Sequence, residues 1–244
     1  MGRIRFNHIL AVCLLVSCLG LADAHASHFR SYAVFVASYN TTNNEARGGV
    51  CGTAFFVSGN KAITAYHVLQ PNSFQPQAGF ERSRVWLVHE GEPAIELKPE
   101  NLVYDQNRDL TEIRLTGDAK VAKENIFATG NAGLTGQVET EGFVAGSTGP
   151  KLVRDGLDLV IGSVPKLDRL NMSGKILSQA NIDLTATDVN LKNSPSLQLS
   201  YEPVKGMSGG PVLAEGKVIA MNSFADPRTF QQTWAMRLGY LTGR

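Results

Sequence analysis

The residues best suited to chemistry are Gly206-Met207-Ser208-Gly209-Gly210, set in the stretch KGMSGGPVL. Three glycines around one serine permit a tight turn that exposes the hydroxyl. They also let backbone N–H groups converge on the oxyanion of an acyl-transfer intermediate. A serine nucleophile needs a base, and the chain has five histidines. His8 lies in an apolar leader, and His25 and His28 flank its end, which leaves His67 and His89. His67, in KAITAYHVL, sits in a turn after a β-like run, a position suited to function. His89, in RVWLVHE, falls within a strand, where a packed or surface-facing imidazole is the plainer expectation. The imidazole in turn calls for a carboxylate to orient it. Asp109, in NRDLTEIRL just before an alternating run, is the candidate, with Asp105 and Glu112 as nearby alternatives.

The elements that must position these residues are short runs rich in Val, Ile, Phe and Thr, punctuated by Gly, Asn, Pro and Asp. The expected strands are residues 32–39, 51–57, 61–65, 84–90, 94–97 and 110–115, then 138–145, 157–164, 174–180, 196–201, 211–214, 217–224 and 232–236. Ser58-Gly59-Asn60 and Glu215-Gly216 read as hairpin turns. Long amphipathic helical patterns are scarce, so the expectation is an all-β protein. Two groups of strands, split near residue 130, suggest two β-barrels.

The 244-residue chain opens with Arg3 and Arg5, an apolar run from Ile9 to Ala22, and small residues. This pattern reads as a secretory signal peptide over residues 1–26, cut after Ala24 or Ala26. The run is short of the roughly 20 residues a membrane helix needs. Leu15-Val16-Ser17-Cys18 resembles a bacterial lipobox, which makes a lipid anchor at Cys18 the minority expectation. Secretion or export to a periplasm is the main one.

Removing Arg3, Arg5 and Asp23 from 23 basic and 22 acidic residues leaves 21 of each. A neutral mature chain offers no basic footprint for nucleic acid and no polybasic patch for an anionic membrane. The expected partner is therefore a protein or peptide substrate, with no nucleic acid and no membrane span in residues 27–244. Cys51 is the one cysteine outside the leader, so no internal disulfide can form, and we expect it to be a buried free thiol. No metal site is called for, because two interior histidines lack an H-E-x-x-H motif or paired cysteines. No cofactor is implied either.

TAYHV, RDLTEIRL and GMSGGPV occur in the order His, Asp, Ser with separations of 42 and 99 residues. They resemble the signature stretches of trypsin-like and chymotrypsin-like serine proteases, in particular their disulfide-free bacterial and viral branches. The resemblance spans about residues 30–240. It implies two six-stranded antiparallel β-barrels, about 30–130 and 131–244, with the active site in the cleft between them.

By that resemblance the chain is an exported serine endopeptidase working through an acyl-enzyme. Ser208 is the nucleophile, His67 the general base and Asp109 the orienting carboxylate, and the Gly206 and Ser208 amides form the oxyanion hole. Ser223, Phe224 and Ala225 fall where the family pairs a strand edge with substrate. Glu202, six residues before Ser208, falls near the base of the primary pocket. It would favour Arg or Lys in the substrate unless Lys205 neutralises it. Met207 stands where trypsin has an aspartate that receives a newly cut N-terminus, so that mode of zymogen activation is not expected. The alternative function is a catalytically silent peptide-binding module on the same fold, lipid-anchored or not.

Overall fold

The structure, a computed structural model, describes residues 29–42, 45–116, 121–130, 136–146, 149–156, 158–185, 190–226 and 231–239. The expected signal peptide, Cys18 and the candidate cleavage sites lie outside the described residues. Among the described residues, helix is confined to four short 3₁₀ turns, and the rest of the regular structure is strand. No helix among them is long and apolar enough to cross a membrane.

Seven strands form the N-terminal sheet: β1 (Tyr32–Tyr39), β2 (Ala46–Ser58), β3 (Lys61–Ala65), β4 (Arg82–Val88), β5 (Ile95–Leu97), β6 (Leu102–Asp105) and β7 (Leu110–Arg114). Their antiparallel order is β5-β4-β1-β2-β3-β7-β6. The expected unit of six strands thus gains β6, and its hydrogen bonding does not run from β6 round to β5. The extra strand escaped notice because LVYD is only four residues long, half-exposed and without turn signals of its own.

After β7 come β8 (Gln137–Phe143), β9 (Lys151–Asp155), β10 (Asp158–Ser163), β11 (Arg169–Thr185), β12 (Asn190–Leu199), β13 (Pro211–Ala214), β14 (Lys217–Ala225) and β15 (Thr233–Arg237). Six of them close into a barrel in the order β11-β12-β15-β14-β13-β8, as a six-stranded second unit was expected to do. The β9–β10 hairpin stands apart as a two-stranded sheet. Asp158 on this hairpin pairs with Arg82 and Arg84 of the N-terminal sheet at 3.1 and 2.9 Å.

The turn Glu215-Gly216 has φ of 51° and 73° at its two residues. Positive φ at both central positions matches the right-handed twist of the strands it joins, β13 and β14. Burial explains why the two units hold together. Phe55, Ile63 and Ile113 of the sheet share one apolar cluster with Val218, Met221 and Met236 of the barrel. Each such side chain contributes about 1.5–3 kcal/mol when removed from water.

Residues 29–31 bind the units from another side. The Arg30 and Ser31 amides donate to the buried Glu141 carboxylate on β8 at 2.8 and 2.6 Å. Phe29 packs edge-on against Phe143 at 5.0 Å, and its carbonyl lies 3.0 Å from His89 Nε2. His89 is thus a packed histidine, 5% exposed, beyond the end of β4.

Cys51 departs from expectation, being exposed rather than buried. The register explains it: Val34 faces Gly52 and Phe35 faces Val50, which leaves Cys51 as the extra residue of a β-bulge. A bulge residue has no partner across the ladder and turns outward. The atoms packed around it still push its thiol up. It therefore stays protonated near neutral pH, which argues against a nucleophilic role.

Candidate active site

His67 lies in the turn that follows β3, where the Val68 and Leu69 amides both return to the Ala65 carbonyl. Asp109 closes the 3₁₀ turn Gln106–Arg108 in the left-handed conformation, φ 48°, just before β7. β3 and β7 are neighbours, with Ala65 paired to Leu110, so the two turns emerge side by side from the same end of the sheet.

The Asp109 carboxylate is fully buried. It accepts the His67 backbone amide at 3.0 Å and faces the His67 ring, with Nδ1 2.9 Å from Oδ2. The Ser223 hydroxyl donates to the same Oδ2. A carboxylate with these donors fixes the proton on Nδ1 and leaves the lone pair of Nε2 to act as a base. Among the three candidate carboxylates, the structure brings Asp109 to the imidazole. Glu112 instead pairs with Lys61 and Arg114, and Asp105 pairs with Arg108.

Ser208 comes from the C-terminal barrel, in the turn before β13. Its Oγ donates to the Ser223 carbonyl at 3.0 Å. Ser223 thus touches both sides of the cleft, its hydroxyl on Asp109 and its carbonyl under Ser208. The sequence reading put Ser223 on a substrate-binding edge and missed both contacts. The available signal was a serine between Asn222 and Phe224 in a largely apolar strand, which is too common to single out.

The turn around Ser208 requires its glycines. At Gly206, φ 102°, a Cβ would come within 2.3 Å of the Ala145 amide nitrogen; at Gly209, φ 84°, it would come within 2.1 Å of the Thr53 carbonyl. The Met207, Gly209 and Gly210 amides donate to the carbonyls of Val204, Asn222 and Met207. The Gly206 and Ser208 amides have no acceptor among the described residues and stay available beside the Ser208 hydroxyl.

Thr53 on β2, also missed from sequence, grips this turn from the opposite unit. Its hydroxyl donates to the Gly206 carbonyl at 2.8 Å and accepts the Phe143 amide at 3.1 Å, while its own amide donates to the Ser208 carbonyl at 2.9 Å.

Beside Ser208 opens a cavity of about 390 Å³ whose lining includes Glu202, Met207, Ser223, Phe224 and Ala225. Ser223–Ala225 end β14 beyond its pairing with β13, which stops at Met221 opposite Pro211. On their other side Phe224 and Ala225 pair with Trp234 and Thr233 of β15. The edge facing the cleft is therefore not covered by β13. Glu202 and Lys205 also line the cavity, and both are exposed.

A cleft between an antiparallel sheet and a closed β-barrel, with an imidazole–carboxylate pair on one side and a glycine-bound serine on the other, defines the chymotrypsin-like protease fold. Residues 52–221 match the family of the trypsin-like peptidase domain, and the chain belongs to that family. No curated protein sequence matches it.

Among solved structures it is similar to the HtrA-type protease AlgW with a decapeptide, with a TM-score of 0.57 and 12% identity over 87% of this chain and 62% of that one. It is also similar to Deg5, with a TM-score of 0.53 and 15% identity over 99% and 94% of the two chains. The active form of the Rv3671c protease from M. tuberculosis gives a TM-score of 0.50 and 16% identity over 100% and 90%. At these identities the likeness is one of fold.

Proposed function

We propose that this peptidase is an exported serine endopeptidase. The observation that carries the reading is the buried Asp109 carboxylate bound to His67 Nδ1, in the same hydrogen-bonded cluster as Ser223 and Ser208. In the first step the Ser208 Oγ bonds to the scissile carbonyl carbon. Its proton, donated to the Ser223 carbonyl at rest, passes to His67 Nε2. The Gly206 and Ser208 amides receive the oxyanion. Collapse breaks the C–N bond as His67 returns the proton to the leaving amine. Water, deprotonated by His67, then attacks the acyl carbon; the bond from that carbon to Oγ breaks, and His67 returns the proton to Ser208 Oγ. The substrate backbone adds to the open edge at Ser223–Ala225 as an extra strand.

Export rests on the leader pattern of residues 1–26. A free N-terminus at His25 or Ser27 in mass spectrometry of the cell-free fraction is the expected outcome, and a lipidated Cys18 would replace release by anchoring.

Labelling of the purified full-length expression product with a fluorophosphonate probe tests the chemistry. The probe phosphonylates an activated serine with loss of fluoride. We expect labelling of the native protein, and none of the Ser208→Ala and His67→Ala variants. Those variants should lose about 10⁶-fold in kcat, the scale of losing a triad member. A folded native protein that stays unlabelled would overturn the reading in favour of a silent binding module.

A further inference from the structure

Resting on the endopeptidase reading, we infer that the cavity beside Ser208 selects an uncharged aliphatic side chain, of the size of Val, Leu or Met, on the acyl side of the scissile bond (P1). The reason lies in how its walls use their polar atoms. Tyr201 is 6% exposed and Asn222 1%. The Tyr201 hydroxyl donates to Asn222 Oδ1 at 2.5 Å, and Asn222 Nδ2 donates to Thr140 Oγ1 at 2.6 Å. Thr233 Oγ1 donates to the Tyr201 carbonyl at 3.1 Å. Each of these polar groups is engaged by another, and none of them carries a charge to pair with a charged substrate group. Burial pushes the Tyr201 hydroxyl far up, so it remains a donor to Asn222 throughout the working pH range. Met172, Met207, Phe224 and Ala225 supply apolar lining around this closed chain.

A lysine or arginine at P1 would need a carboxylate within the pocket, because an unpaired charge taken out of water is strongly disfavoured. Among the described residues Glu202 is the one acid in the lining, and it is exposed to solvent with the cationic Lys205 also in the lining. The buried Asp226 follows Ala225 but does not line the cavity. Its Oδ2 accepts Gln198 Nε2 at 3.0 Å and Trp234 Nε1 at 3.2 Å. An acidic P1 residue fares no better, since Lys205, the one cation among the described lining residues, is exposed to solvent with the anionic Glu202 also in the lining. A P1 charge of either sign therefore finds no buried counter-charge among the described lining residues.

The test is a set of internally quenched peptides differing only at P1, turned over by the same full-length preparation used for probe labelling. The kcat/KM for Val, Leu and Met is expected to exceed that for Arg, Lys, Asp and Glu by about 100-fold or more. Glu202→Gln should keep the same order of preference. Asn222→Asp puts a carboxylate into the wall and should raise the Lys-to-Val ratio about tenfold or more.

A probe-labelled enzyme that cleaves after Arg or Lys as well as after Leu overturns this inference and leaves the endopeptidase reading standing. So does a basic preference that disappears in Glu202→Gln. An unlabelled, folded protein overturns both.

Discussion

In the N-terminal sheet the site is held by side chains. The Asp109 carboxylate, fully buried, organises His67 through its ring and its backbone amide, and β3 and β7 deliver both residues from one end of a continuous sheet. In the C-terminal barrel the site is held by backbone. Positive φ at Gly206 and Gly209 turns the chain so that two amides stay available beside Ser208, with neighbours so close that a single Cβ would collide. The difference teaches where each half is vulnerable. The sheet fails when a functional group changes at constant shape, and the barrel fails when shape changes with every functional group intact. Thr53 and Ser223 bridge the halves, so damage to either half is felt at Ser208.

The largest effect that would sharpen this contrast is Asp109→Asn, which keeps shape and removes charge. It is expected to lower kcat by about 10⁴-fold with the fold intact, because the amide no longer holds the proton on Nδ1. Loss of the downfield His67 Nδ1 proton signal in NMR checks the cause. An unchanged signal with full activity would break the comparison.

Gly206→Ala is the complementary change, adding shape while removing no functional group. Its Cβ would meet the Ala145 amide nitrogen and the Phe143 carbonyl, both backbone and unable to step aside. The turn should shift and misplace one oxyanion donor, costing kcat about 10²–10³-fold. The His67 proton signal should survive. If Gly206→Ala instead erased that signal, the two halves would not be separable in the way described.

The smallest effect concerns pH and belongs to the sheet. Burial alone would raise the Glu112 carboxyl, but hydrogen bonds from Lys61 and Arg114 outweigh it and hold it below its ordinary value. A carboxyl lowered by folding stabilises the protein above its unfolded value, and that stability is lost as pH falls through the lowered, folded value. Glu112→Gln should therefore flatten the acid side of the Tm-against-pH curve by about 2–4 °C. Near neutral pH the same change should lower Tm, and the order of P1 preference should not move.

Much of this architecture is legible in the chain itself. Short apolar runs located β1 and β3 to the residue, because both strands are buried along nearly their whole length and end at clear turn signals. β9 and β6 were missed because they are short and bury little, so alternation leaves almost no trace in them. β11 was found only in part: it runs from Arg169 to Thr185, and its alternation is of half-buried and exposed positions with few apolar anchors. Cys51 was misjudged as buried because a bulge is a property of two strands in register, and one strand's sequence does not carry it.

For the site, the sequence by itself determined the chemistry available: one serine among glycines, two interior histidines and a short choice of carboxylates. Residue types and spacing constrain which bonds can be made, and these were sufficient to name His67, Asp109 and Ser208 as candidates. The tertiary structure alone decided which of them meet. It selected Asp109 over Asp105 and Glu112, gave Ser223 contacts to both Asp109 and Ser208, and tied up the polar atoms of the pocket through Tyr201, Asn222, Thr140 and Thr233. Those contacts join residues as far as 114 positions apart. Hydrogen-bond partnership depends on distances of about 3 Å, and only the folded chain brings such distant positions that close.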